Sequence, residues 1–173
     1  MKFEPKAVRF EERAELLDFL LEVSELTASS LDLDQVLDSV ADVIHRVVGF
    51  DIFGILLYSE RRKNLRFRYA IGYREELVRN LTIEIGEGIV GAAAQLRRPI
   101  SVGNVRADSR YLIALDAVRS ELAVPMFCRG RLVGVIDLES TRLNAYGKRE
   151  EALLTLIANR VASCLLYTSD AAD

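Results

Sequence analysis

The string Gly86-Glu87-Gly88-Ile89-Val90-Gly91 is a G-x-G-x-x-G pattern. In a dinucleotide-binding fold such glycines permit a tight turn and a close backbone approach to pyrophosphate. That chemistry needs a long strand before the string and a parallel partner strand after its helix. Here only Thr82 to Ile85 precede it as a strand-like stretch, it lies mid-chain, and hairpins follow. The string therefore reads as a glycine-rich strand-to-helix turn. Its N–H groups could still meet the acceptor of a ligand, because a helix N-terminus favours negative charge.

Other reactive residue types are sparse. The one histidine, His45, lies off the Val40/Ile44/Val47 stripe of its helix and reads as a solvated or edge residue. Cys128 shares strand parity with Leu122, Val124 and Met126 and reads as a small core hydrophobe, with a redox role as the alternative. Two cysteines make neither a disulfide framework nor a zinc site. Arg61, Arg62 and Lys63 sit at a hairpin tip and read as a solvated turn. Asp108, Arg110, Arg119 and Glu121 bring mixed charge to one loop-and-strand edge, as surface ion pairs or as polar anchors at a pocket mouth. No Ser/His/Asp set, Cys/His pair or P-loop lysine is assembled, so no catalytic residue, cofactor or metal is expected.

Composition narrows the class further. The 173 residues are 50% hydrophobic and 28% charged, which suits one globular domain rather than a disordered chain. A formal charge of -3 gives no electrostatic reason to expect nucleic-acid binding. No apolar run approaches the ~20 residues that span a bilayer, and the N-terminus has no secretory pattern. The expectation is a cytoplasmic domain without membrane or nucleic-acid partners.

These residues must be positioned by a short series of elements. From Arg9 to about Ser30 the chain reads as helix, with Leu16, Phe19, Val23 and Leu26 on a heptad-like seam. Asp32 or Asp34 caps a second helix carrying Val36, Leu37, Val40, Ile44 and Val47, which Gly49 ends. Asp51 to Tyr58 and Leu65 to Ile71 make a hairpin. Thr82 to Ile85 is a short strand, Gly88 to Arg98 a small-residue helix stopped by Pro99, and Ile100 to Val102 a further strand. Val105 to Asp116 is irregular or helical. Glu121 to Cys128 and Leu132 to Glu139 form a second hairpin around Arg129-Gly130-Arg131. Lys148 to Ser163 is a last helix, with Leu154, Ile157 and Val161 on one stripe. Hairpins separated by a helical connection predict an α+β fold with an antiparallel sheet.

The blocks GEGIVGAAAQLRRPISVGNVRADSRY and SELAVPMFCRGRLVGVIDLES, preceded by VLDSVADVIHRVVGFDIFGILLY, resemble the GAF domain family. The resemblance covers about Leu16 to Ser163. It implies a central antiparallel sheet with terminal helices on one face and a loop and short-helix pocket on the other. It also implies a sensory module, often dimeric through terminal helices that continue into an output domain. The stretch KFEPKAVRFEERAELLDFLLEVSELT resembles bacterial regulators that place GAF domains ahead of a serine/threonine phosphatase of the PP2C type. The chain lacks the Asn-Lys-Phe-Asp-Glu string of cyclic-nucleotide-binding members and a Cys-His pair for a bilin. A free methionine sulfoxide reductase of this fold would need several placed cysteines.

The organisation expected is a signalling helix over 1–30, the GAF domain over 31–163, and a non-native tail over 164–173. The ten tail residues CLLYTSDAAD resemble the translation of a sequencing adapter. The resemblance implies a ligand site from Phe53, Tyr69, Gly88, Val90, Asp108, Arg110, Tyr111, Arg119 and Glu121. The partners expected are an unknown small molecule and a second copy, through the terminal helices. The alternatives are a structural dimerisation module with a closed pocket, or a redox enzyme using Cys128.

Overall fold

The computed structural model describes residue 18 and residues 32–112 and 116–169, with side chains as far as residue 166. The N-terminal stripe of Leu16, Phe19, Val23 and Leu26 lies outside the described residues.

Helix α1 (Leu33–Val47) starts where the Asp32 carboxylate accepts the Asp34 N–H at 3.1 Å. It ends at Gly49, whose φ of 82° lets the Val48 and Gly49 N–H groups close on the Ile44 carbonyl. The first hairpin is β1 (Ile52–Ser59) and β2 (Asn64–Ile71). The six-residue helix α2 (Glu75–Asn80), β3 (Thr82–Glu84), α3 (Gly88–Leu96) and β4 (Ile100–Val102) follow. A 3-10 turn at Val105–Ala107 precedes β5 (Ser120–Cys128) and β6 (Arg131–Ser140), and α4 (Lys148–Ser169) is the last of the described elements. Helix α2 has no counterpart in the sequence reading. It buries no residue, so it has no apolar stripe to read.

The six strands form one antiparallel sheet in the order β3-β2-β1-β6-β5-β4. Arg129 (φ 50°) and Gly130 (φ 77°) are both left-handed, the backbone of a two-residue hairpin turn. That turn sets the β5·β6 register, in which Glu121 faces Glu139 and Leu122 faces Leu138. Pro125 pairs with Val135 beyond the reach of β4, which covers only Glu121 to Ala123, and sits beside the register shift at Met126/Phe127.

Two cores lie on the two sides of the sheet. Helices α1 and α4 pack Leu37, Ile44, Leu154 and Ile157 against Phe53, Ile55, Leu122 and Ile136. On the other side α3 packs Ile89, Val90 and Ala93 against Ile52, Leu56, Ala123 and Val135. The stripe Leu154/Ile157/Val161 is thus spent on the domain's own core. The adapter-like residues continue α4, with Cys164 and Leu165 buried in the same core.

Candidate functional site

The site is built on the α3 side of the sheet. The glycine string works there as a packing device. Gly86 (φ 92°) and Gly88 (φ 67°) make the left-handed reversal by which β3 passes into α3. At Gly91 a Cβ would lie 2.4 Å from the Glu84 carbonyl oxygen, so only glycine lets α3 sit this close to β3. With an antiparallel sheet around it, the string has no parallel strand pair to hold a pyrophosphate.

Beneath this turn the central hairpin places three carboxyls on one face. Glu121 and Glu139 are directly paired across β5 and β6, and Asp137 is two residues from Glu139 on the same side. All three are buried. Gly54 of β1 lies opposite Asp137, and a Cβ there would sit 2.8 Å from the Phe67 ring and 3.4 Å from the Tyr73 ring. Its missing side chain admits Tyr73, whose hydroxyl reaches Asp137 Oδ2 at 2.6 Å and Glu139 Oε1 at 2.9 Å. Past Glu139, Asp51 holds the strand end by accepting the Thr141 N–H at 2.7 Å and the Ser140 hydroxyl at 3.0 Å.

A phenol has one hydrogen for these two oxygens, so it donates to one carboxyl and accepts from the other. One carboxyl must then be protonated. Burial is the first cause of raised pKa values throughout the group. It pushes Glu121 well above the usual carboxylate range, Glu139 to about 8 and Asp137 to about 6. Hydrogen bonds from Tyr73 and Glu121 hold Asp137 lowest of the three. Near neutral pH the cluster therefore keeps Asp137 as its anion, with protons shared among its neighbours. Among the described residues, no amide, ammonium or hydroxyl group donates to the buried Asp137 Oδ1 and Glu139 Oε2. Buried acceptors of this kind cost a few kcal/mol unless something donates to them.

The three acids line a cavity of about 40 Å³, closed by Leu56, Phe67, Ile83, Gly88, Val90 and Leu112. Such a space holds a few waters or one small functional group. A Cβ on Gly88 would lie 2.8 Å from Leu112 Cδ1, so Leu112 forms the roof over the glycine turn.

Of the residues expected at the site, Gly88, Val90 and Glu121 line this cavity. Tyr111 packs against the same core. Asp108 and Arg110 form a two-pronged pair, with Arg110 Nη2 2.7 Å from Asp108 Oδ2, and the Arg110 side chain lines a separate cleft with Arg98 and Tyr146. Arg119 donates to the Asp116 and Val118 carbonyls and does not reach the cavity. Phe53 and Tyr69 are corrections: both pack on the helix side, where the Tyr69 hydroxyl donates to Asp38 of α1 at 2.6 Å. For Tyr69 the reason is a bulge. Ile55 pairs with Tyr69 but Leu56 pairs with Phe67, which leaves Arg68 as the extra residue and turns Tyr69 away from Phe67's face. For Phe53 the reason is that β1 is apolar on both faces, so alternation carries no sign.

Asp137, Glu139 and Tyr73 were not anticipated. The signal for the acids was present: two carboxyls spaced i, i+2 interrupt an apolar strand, in register with Glu121 across a two-residue turn. Tyr73 had none, because only folding brings it over Gly54. Neither cysteine lines the cavity. Cys128 is half-buried against the helix-side core, and Cys164 is buried within it.

A six-stranded antiparallel sheet with helices on one side and a roofed acidic cavity on the other defines an α+β domain with one packed face and one pocket face. The family profile of the GAF domain matches residues 32–165, and the chain belongs to that family. A phosphoenolpyruvate-dependent phosphotransferase system protein of Escherichia coli (strain K12) is 25% identical over 154 residues, covering 87% of this chain and 21% of the relative. The GAF domain of an Acinetobacter phosphoenolpyruvate-protein phosphotransferase superposes with a TM-score of 0.81 at 19% identity, covering 94% of this chain and 97% of that one. The free methionine-R-sulfoxide reductase of Neisseria meningitidis, solved with its substrate, superposes with a TM-score of 0.77 at 23% identity over 99% of each chain. At these identities the two structures speak to the fold alone. The chain spans less than half the length of the curated relatives it matches first. Among the described residues no helix is long and apolar enough to cross a membrane.

Proposed function

We propose that the chain is a regulatory GAF module of the cytoplasm, without catalysis of its own, whose cavity takes a cationic or hydrogen-bond-donating group of a small molecule. The observation that carries this reading is the pair of buried oxygens, Asp137 Oδ1 and Glu139 Oε2, which accept no amide, ammonium or hydroxyl donor among the described residues and belong to carboxyls that line the cavity. An ammonium would donate to both and neutralise the Asp137 carboxylate. The cavity accommodates the head group only, so the remainder of the ligand displaces Leu112, which is 41% exposed and forms the roof. In this reading the signal leaves through α4, which packs on the back of β5 and β6, and reaches an output domain, a serine phosphatase of the PP2C type being the candidate. Binding acts by population shift, favouring one arrangement of the terminal helices. Pairing of two copies through those helices rests on the Leu16/Phe19/Val23/Leu26 stripe and is checked by light scattering with Leu16→Glu and Phe19→Glu. The likeness to a phosphotransferase-system protein and to the GAF domain of a phosphoenolpyruvate-protein phosphotransferase supports a regulatory role.

The test is a thermal-shift series of small primary amines against isosteric alcohols and carboxylates. Amines should raise the melting temperature more as pH rises from 6 towards 8, as Asp137 and Glu139 ionise. Asp137→Asn should abolish the shift. A larger shift with carboxylates, or an unchanged amine response in Asp137→Asn, would overturn the reading. The small volume of the cavity favours a second reading, a closed interaction module. Silence of the wild type to every compound would select it.

A further inference from the structure

The opposite end of the sheet carries the opposite charge. Because β1 and β6 are antiparallel neighbours, with Leu57 paired to Gly134, the tip of the β1–β2 hairpin lies beside the Arg129-Gly130 turn. Between them runs an open groove of about 660 Å³. Among the described residues five arginines line it, Arg61, Arg62, Arg66, Arg68 and Arg131, against one acid, Glu60. Glu60 is already taken by Lys63 at 2.8 Å, and Arg68 by Asp34 at 2.8 Å. Among the described residues Arg61, Arg62 and Arg66 have no acidic partner. This concentration of positive charge stands on a chain whose net charge is -3.

The floor is not polar. Leu57 and Val133 line it on the helix side and Phe67 and Leu132 where it passes the sheet edge to the α3 side, with Leu165 and Leu166 on the α4 wall. The last two fall in the adapter-like segment, so the case rests on the hairpin residues. A concave apolar floor with a rim of unpaired guanidinium groups matches a segment with apolar side chains on one face and carboxylates beside them. Arginine forks hold carboxylates in two-pronged geometry, and apolar anchors at helical spacing fill such grooves. A nucleic acid would leave the aliphatic floor unfilled, and a lipid surface is too flat to enter it.

We propose that this groove docks an acidic amphipathic segment of a separate polypeptide. The groove and the acidic cavity both touch Phe67 but share no charged residue.

The test is fluorescence anisotropy with the whole chain and a labelled leucine–glutamate peptide of about four helical turns, its leucines at i, i+3, i+4 and i+7. The expected result is saturable binding that weakens with salt and falls by about tenfold or more in Arg62→Glu/Arg131→Glu, both surface positions, at unchanged melting temperature. If those substitutions disturb folding, Arg62→Gln/Arg131→Gln replaces them and should show a smaller loss in the same direction. No saturable binding, or equal binding of a peptide with the same composition and scrambled spacing, would overturn the proposal. So would tighter binding of a single-stranded DNA oligonucleotide, or capture by phosphatidylserine vesicles that the peptide does not compete. Concentration-dependent dimerisation abolished by the same substitutions would assign the groove to a second copy instead and would also overturn it.

Discussion

Strands β5 and β6 supply both sides of the sheet from alternate residues, and the two sides differ in kind. Leu122, Val124, Ile136 and Leu138 meet α1 and α4 in a fully apolar core. One residue along, Glu121, Asp137 and Glu139 turn the other way into the cavity under α3. Apolar burial on the helix side stabilises the fold, at roughly 25 cal/mol for each Å² removed from water. On the cavity side the same strands hold buried acids whose desolvation opposes folding. The difference separates a face that holds the molecule together from a face that holds groups ready for a ligand.

Breaking the helix side should have the largest effect. Leu138 is completely buried between the sheet and the helices. Leu138→Ala should cost about 3–4 kcal/mol, the usual range for a large aliphatic deleted from a packed core. Urea denaturation measures it. A loss below about 1 kcal/mol would mean that this face is less tightly packed than described.

On the cavity side the sharper test is pH. Glu139 is raised from 4.5 to about 8, so between those values the folded chain binds a proton that the unfolded chain has released. Stability present below pH 4.5 is therefore lost as pH rises towards 8, by at most about 1.4 kcal/mol per pH unit for one such group. Asp137 acts in the same direction up to about 6. Glu139→Gln should flatten the decline between pH 6 and 8, a change of up to roughly 3 kcal/mol, and raise stability at the alkaline end. A wild-type chain that grows more stable across this window would contradict the protonation pattern assigned to the cluster.

Overpacking the same side should cost less. Gly54→Ala places a methyl group 2.8 Å from Phe67 Cε1, and the Phe67 and Tyr73 rings must tilt to admit it. A loss of about 1–2 kcal/mol is expected, with the Tyr73 hydroxyl drawn away from Asp137. The tyrosine ring signals in an NMR spectrum report the displacement. An unperturbed Tyr73 would show that Gly54 is not what admits the ring.

What was legible in the sequence follows the same division. On the helix side, Val36, Leu37, Val40 and Ile44 repeat at the helical period and all prove buried, and both hairpins follow from strand patterns around turn residues. A strand passing into a helix within two residues likewise calls for left-handed φ at Gly86 or Gly88, and both adopt it. The cavity side was read only in part. Gly88, Val90 and Glu121 could be placed because the glycine turn and the hairpin edge are local. Tyr69 could not, because one bulge at Arg68 reverses its face and no residue type announces that bulge. Tyr73 and Asp137 are 64 residues apart, and their contact depends on the whole sheet being assembled.

The smallest effect belongs to the loop that borders the cavity. Asp108 and Arg110 make a two-pronged ion pair, yet the Arg110 side chain is 39% exposed and Asp108 17%. Arg110 lowers the pKa of Asp108 below its usual 3.8, so the contribution is present above that value and fades as pH falls through the lowered one. Solvent screens such a pair, and exposed pairs contribute between about 0 and 1 kcal/mol. Arg110→Ala should therefore shift global stability by less than about 1 kcal/mol at neutral pH. Its local effect should be larger in kind than in size. Asp108 also accepts the Arg110 N–H at 3.0 Å, so the backbone turn survives the loss of the guanidinium while the side-chain brace does not. Two residues on, Leu112 roofs the glycine turn. Amide hydrogen exchange should quicken at Tyr111 and Leu112 and stay unchanged in β5 and β6. Faster exchange throughout the central hairpin would show instead that the pair braces the sheet, and would erase the distinction between the face that holds the molecule together and the face that opens.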